Sequence, residues 1–283
     1  MGRAARLGRD VSGRSESAGF RWWMPLVAVA GLAVVGVGVM VVLFLTREDP
    51  GARPVEEAVE DFRSSTDDAA DVGPTPGVYE LEGEGSEAIS FPATEQTDGS
   101  IMPMTITVSG ESCWNIRIDY NEAHWQQWDL CADGRTVTES GGRTFQRWDF
   151  GSVAIENLST FVCDPEMPFV VLDAEPGDVA ERSCTGTNDQ LSGTTTSSGT
   201  VEVLGVEAIE IGGESIEAMN VRHRNDLTGS QHGTDSLELW VSTEDGLPLR
   251  GTRSLNVESD SPIGAVTYTE EGFWELLSTT PRS

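Results

Sequence analysis

The chain has no lysine; all 18 of its basic residues are arginine. That removes Ser–Lys dyads, Schiff-base lysines and the phosphate-gripping lysine of a P-loop from consideration. Histidine is nearly as scarce, with only His124, His223 and His232. No H-E-x-x-H, G-x-S-x-G, S-x-x-K or Walker pattern occurs, and no D-x-D-x-D-G calcium loop. His124 falls at an expected hairpin end, the place of a polar turn residue. His223 and His232 lack the helical scaffold that would turn them into a metal pair. The sequence therefore offers no catalytic, cofactor-binding or metal-ligating set. A net charge of −29 also excludes the basic surface that nucleic acid or anionic lipid requires. The acids Asp164, Glu166, Asp173, Glu175 and Asp178 cluster in sequence, as expected of a solvated loop.

One long run has no charge at all. Leu26 to Leu45 is uncharged, preceded by Pro25 and followed at once by Thr46, Arg47, Glu48 and Asp49. As a helix, residues 25–45 would extend about 31 Å at the usual rise, which matches the roughly 30 Å hydrocarbon core of a bilayer. No small-x-small cleavage site follows the run, and the first cysteine, Cys113, is too distant for a lipoprotein signal. The expectation is an uncleaved signal-anchor helix, with Trp22 and Trp23 at its head in the interfacial position. Residues 1–24 carry five Arg against two acids, whereas the chain after Thr46 carries 13 Arg against 45 acids. The positive-inside rule then leaves a short disordered head, residues 1–24, in the cytoplasm and everything beyond the span outside the cell membrane. All four cysteines lie on that outer side, where an even count reads as two disulfides.

Residues 46–76 have the Pro-rich, acidic composition of a linker. One piece of it, residues 54–63, reads as a helix. Pro54 suits the first helical position, and Val55, Ala58, Val59 and Phe62 share one face. So short a helix is marginal alone, and its acidic back disfavours a membrane surface. It is expected to pack on the outer domain or on a partner.

From Gly77 to the end, short alternating runs such as Met104–Val108, Trp114–Tyr120 and Leu237–Val241 read as strands. Asp133-Gly134, Gly212-Gly213 and Asp245-Gly246 separate them as turns. The expected fold is mainly β: an antiparallel sandwich, barrel or curved sheet over residues 77–283, held by two disulfides. If Trp114–Tyr120 and Trp125–Cys131 form a hairpin turning at residues 121–123, Cys113 falls opposite Cys131. The same register sets Trp114 against Leu130, Ile116 against Trp128 and Ile118 against Gln126 on one largely apolar face. Cys163–Cys184 follows by remainder. Two stretches, Trp128–Arg135 and Leu239–Leu247, share a strand, Asp-Gly turn, strand pattern, which hints at two β halves joined near residues 185–200.

Gly246-Leu247-Pro248-Leu249-Arg250, after the Trp240-Val241 strand, resembles a hairpin of lipoprotein-carrier half-barrels of the LolA and LprG type. Val203–Ala208 is similar to the strand pair that precedes it there. The resemblance covers residues 200–280 and implies a curved sheet over an apolar cavity. The chain departs from that type by lacking long plugging helices and by its fixed anchor. Gly110–Trp114 and Ser261–Ala265 belong to a broader similarity to single-pass, Cys-containing envelope proteins of actinobacteria.

Among the outer tryptophans, Trp125 and Trp240 fall on the less apolar sides of their strands, as surface anchors for a partner would. The sequence therefore points first to a non-catalytic binding or scaffolding protein of the envelope. It would be held to the cytoplasmic membrane by residues 25–45 and face an envelope protein, glycan or lipid. Carriage of a lipid or other apolar ligand is the alternative, and a hydrolase built on paired carboxylates stands third.

Overall fold

The computed structural model describes residues 49–65, 73–150, 153–261 and 264–283. The head, the expected span at residues 25–45 and the first residues of the linker lie outside these. Among the described residues no helix is long and apolar enough to cross a membrane.

Among the described residues one helix, α1 (Val55–Ser65), precedes a run of strands: β1 (Gly77–Ser90), β2 (Ala93–Thr97), β3 (Ile101–Val108), β4 (Cys113–Asn121), β5 (His124–Asp133), β6 (Thr136–Asp149), β7 (Ala154–Val171), β8 (Val179–Asn188), β9 (Thr195–Ile211), β10 (Glu214–Gly229), β11 (Gln231–Ser242), β12 (Pro248–Ser261) and β13 (Gly264–Leu276). Each strand from β3 onward pairs antiparallel with the next, and β13 returns to β1, Leu276 opposite Leu81. β2 and β3 run along β1 in one shared register, Thr97 opposite Ser86 and Ile106 opposite Gly77. They count as one interrupted strand. The result is a twelve-stranded up-and-down barrel, so the barrel is the member of the expected β class that forms. Closure removes the edges that an open curved sheet would leave unpaired.

Local sequence explains the turns. Ile211 lies opposite Glu214, leaving Gly212 and Gly213 as a two-residue loop with φ of 60° and 85°. A turn needing positive φ at both central residues takes glycine at little cost. The β4–β5 hairpin has the expected register, with Cys113 opposite Cys131 and Ile116 opposite Trp128. Both disulfides, Cys113–Cys131 and Cys163–Cys184, are formed. Around residues 185–200 β8 and β9 pair directly as a hairpin, Gly186 opposite Thr195, with the loop between Asn188 and Thr195.

Helix α1 packs on the outside of the barrel. Val55, Ala58, Val59 and Phe62 bury against Val78 of β1, the periodicity read from the sequence. Charges fasten its flanks: Arg53 meets Asp119 of β4 at 3.0 Å, while Arg282 of the C-terminal tail reaches Glu56 at 3.1 Å and Glu80 at 2.8 Å. The helix thus docks on the barrel rather than standing free. Among the described residues every strand partner and the helix's apolar seat lie within residues 49–283, and Glu48–Ser283 forms one compact unit.

The interior has two levels. At the end where β1 begins, the barrel is filled by large side chains. Leu81, Met104, Trp114, Met219, Leu239 and Trp274 are all almost fully buried there. Toward the opposite end, where β6 ends and β7 begins, the filling stops.

Candidate functional site: the open half of the barrel

A cavity of about 480 Å³ occupies this second level. The inward positions of the strands decide its chemistry, because alternate residues of each strand face the interior. On the β5–β8 wall two rows are polar, flanked by Trp128, Trp148, Ile155 and Phe161. Gln126, Thr144, Ser159 and Asn188 are successive cross-strand neighbours in one row, with Gln146 beside Asn157 in the next. Asn188 donates to the Ser159 hydroxyl at 2.9 Å and Asn157 to the Gln146 carbonyl oxygen at 3.1 Å. Across the cavity, β10, β12 and β13 contribute the aliphatic Leu227, Leu255, Val257 and Val266. Trp148 comes edge-on to Tyr268, ring centroids 6.4 Å apart, and both line the space.

Two buried arginines form the floor. Arg182 donates through one guanidinium nitrogen to Glu139 and through another to Nδ1 of His223. A nitrogen that accepts cannot also carry the proton, so His223 is a neutral ring. Burial, and then the Arg182 charge, hold it well below the usual histidine range, with the Phe169 carbonyl opposing. Burial pushes the Glu139 carboxyl up, and Arg182 restrains it. Arg253 donates to Gln126 and lies 3.3 Å from Glu270 and 3.4 Å from Asp235. Burial works against its charge, but those two carboxylates outweigh burial and stabilise the guanidinium.

Behind Arg253 lies a second set of acids. The Tyr268 hydroxyl is 2.7 Å from Glu87 and 2.8 Å from Glu270. A phenol has one proton to donate, so one of the carboxyls must supply the other. Burial pushes Glu87 up and Glu270 adds to it, whereas Arg253 keeps Glu270 low against its own burial. Glu87 therefore carries the shared proton, and Gln96 donates to its other oxygen at 2.5 Å. Neither Glu87 nor Glu270 lines the cavity.

Of the residues that sequence singled out, His223 and Cys184 line the cavity, and the others lie elsewhere. Trp125 stacks on Phe145 with Arg117 over its ring at 4.2 Å, and Trp240 donates to Glu207 at 2.6 Å. Both are half-buried and neither lines the cavity. The other four outer tryptophans, Trp114, Trp128, Trp148 and Trp274, are buried. His124 does open a strand, but it is not a solvated turn residue. It is fully buried, 4.7 Å from the Tyr120 ring and 3.4 Å from Glu87. His223 is interior and His232 is exposed beside Glu258, so the two share no site. The acids Asp164, Glu166, Asp173, Glu175 and Asp178 are all exposed. Among the described residues only Glu139, Cys163 and Cys184 lie as close as a metal's ligands would, and both sulfurs are committed to the disulfide.

Sequence reading missed Glu139, Arg182, Asn188, Asn225 and Arg253. One signal pointed their way: Gln126 was the polar exception on the otherwise apolar face of the β4–β5 hairpin. A polar residue at an inward position marks a wall that does not face a dry core. No protein-family model, curated protein or solved structure matches the chain.

Proposed function

We propose that this is a membrane-anchored binding protein of the cell envelope that holds a small molecule inside its barrel. The supporting observation is the cavity. Its volume of about 480 Å³ falls within the roughly 300–1,000 Å³ typical of ligand pockets. The filled lower level demonstrates that this chain can pack its interior, so the open half is not a general failure of packing. Sequence alone ranked binding or scaffolding above carriage of an apolar ligand, and the cavity supports a ligand held inside the barrel. Both disulfides accord with an oxidising compartment outside the cytoplasm. The anchor at residues 25–45 rests on its length, its lack of charge and the arginines before it.

Binding without chemistry is the better reading of the polar groups. The Glu87 and Glu270 carboxyls differ in protonation as an acid–base pair would, but they lie behind the lining. His223 already spends its basic nitrogen on Arg182. The test is native mass spectrometry of the full chain, extracted in mild detergent from its host membrane. The expected result is a reproducible adduct that is absent from Leu227→Trp, a substitution that fills the cavity. A bare chain in every preparation would refute the reading.

A further inference from the structure

Within that ligand-binding reading, we propose that the ligand is an uncharged amphiphile with several hydroxyl or amide groups along one side and an apolar opposite face.

Charge is the first constraint. Every ionised side chain that reaches the floor already has its counter-charge: Arg182 with Glu139, and Arg253 with Asp235 and Glu270. Arg143 is the remaining cation of the lining; it occupies an alternate position on β6 and is exposed. A carboxylate or phosphate entering the cavity would find no free buried cation, and an ammonium no free carboxylate. An unpaired charge is then excluded by its desolvation cost. The two polar rows of the β5–β8 wall carry carboxamides and hydroxyls, groups that both donate and accept without charge. The aliphatic groups opposite offer no hydrogen bond. A ligand that satisfies both walls must be two-sided.

The second constraint is an unsatisfied acceptor. Asn225 on β10 lies in the lining and is 9% exposed, and its buried side-chain oxygen has no hydrogen-bond partner among the described residues. A buried acceptor left unpaired loses the hydrogen bond that water would have given it. A hydroxyl or N–H of the ligand would meet it, whereas a plain acyl chain would leave it bare. Asn225 thus carries the hydrogen-bonding edge round to β10, and Leu255, Val257 and Val266 of β12 and β13 form the hydrocarbon face.

A head-group series on one chain length provides the test. Octyl β-glucoside, octanoate, octylammonium and octanol are titrated into residues 49–283 below their micelle concentrations. Binding is followed by quenching of the tryptophan fluorescence, to which Trp128 and Trp148 in the lining contribute. The glucoside is expected to bind saturably and at least tenfold more tightly than any of the other three. Asn225→Leu and Asn188→Leu should each weaken the glucoside at least tenfold while leaving octanol within twofold. Octanoate or octylammonium binding as tightly as the glucoside would overturn the neutral class and leave the binding reading standing. Octanol matching the glucoside would overturn the hydroxyl edge in the same way. Failure of all four would refute the binding reading as well. The wild-type series decides between these outcomes even if a variant does not fold.

Discussion

Arg182 offers the sharpest test of the interior. Its guanidinium and the Glu139 carboxylate are each under a tenth exposed, and they meet at hydrogen-bonding range. Replacing Arg182 with Leu leaves a buried carboxylate with no counter-charge and strips His223 of its donor. Breaking a buried pair on one side typically costs about 3–5 kcal/mol. In a domain of this length that corresponds to a fall in Tm of roughly 6–20 °C. The loss must also depend on pH. Burial already holds Glu139 above the usual carboxylate range, with Arg182 restraining it, so removing Arg182 raises it further. A folded-state acid whose pKa exceeds its unfolded value binds more protons than the unfolded chain between those two values. Its contribution to stability therefore falls as pH rises through that window. Arg182→Leu should be least damaging near pH 5 and most damaging near pH 8. Relief of His223 from the Arg182 charge acts in the same direction, because the ring can then take up a proton in acid. Urea unfolding of residues 49–283 at both pH values measures the effect. The double variant Glu139→Gln, Arg182→Leu isolates the carboxylate and should recover at least half of the loss at pH 8. A single-variant loss below about 1 kcal/mol, or an equal loss at both pH values, would refute the buried-pair account.

Other consequences can be read independently. Burial pushes the Asp98 carboxyl up to about 7, so its contribution to stability is full in acid and declines as pH rises from about 4 toward 7. Asp98→Asn should flatten that part of the stability profile in thermal melts, and an unchanged slope would contradict the assignment. Phe62→Ala removes the largest group that α1 buries on the barrel. The helix amides should lose roughly 3–5 kcal/mol of hydrogen-exchange protection while the β10–β12 ladder keeps its own. Uniform loss across the barrel would mean that the helix is part of one cooperative core. Cys163 and Cys184 are buried, whereas Cys113 and Cys131 are half-exposed. Under mild reductant, alkylation should therefore appear first at Cys113 and Cys131, and labelling in the opposite order would contradict the packing.

Legibility in the sequence followed the wall that each strand faces. The β4–β5 hairpin could be read to the residue because Trp114, Ile116, Trp128 and Leu130 face a filled core and alternate cleanly. The face of α1 was legible for the same reason. Strand β7 was not, over its first half. Ile155, Asn157, Ser159, Phe161 and Cys163 occupy its inward positions, and this mixture has no hydrophobic period. A cavity with a hydrogen-bonding wall erases the signal by which strands are found. The candidate site was therefore hidden by its own chemistry. Closure was hidden for a different reason: the pairing of Leu81 with Leu276 joins the two ends of the domain, and no local turn announces it.

The cavity follows from strand number and side-chain size together. Barrel diameter grows with the number of strands, and about eight is the width that inward side chains just fill. At twelve, ordinary residues cannot reach one another across the axis. The lower level compensates with bulk, placing Trp114, Trp274, Met102, Met104 and Met219 at inward positions. Trp274 fits only because Gly251 stands directly opposite, where a Cβ would meet the indole at 2.5 Å. The upper level lacks that filling: Ser197 on β9 is small where it lines the cavity, and Gly186 on β8 leaves its place to a neighbour. Phe161 lies over Gly186 where a Cβ would be. The chain thus seals one end of the barrel with bulk, while the other end, ringed by Trp128, Trp148, Phe161 and Tyr268, stays open. A structure selected for stability alone would seal both.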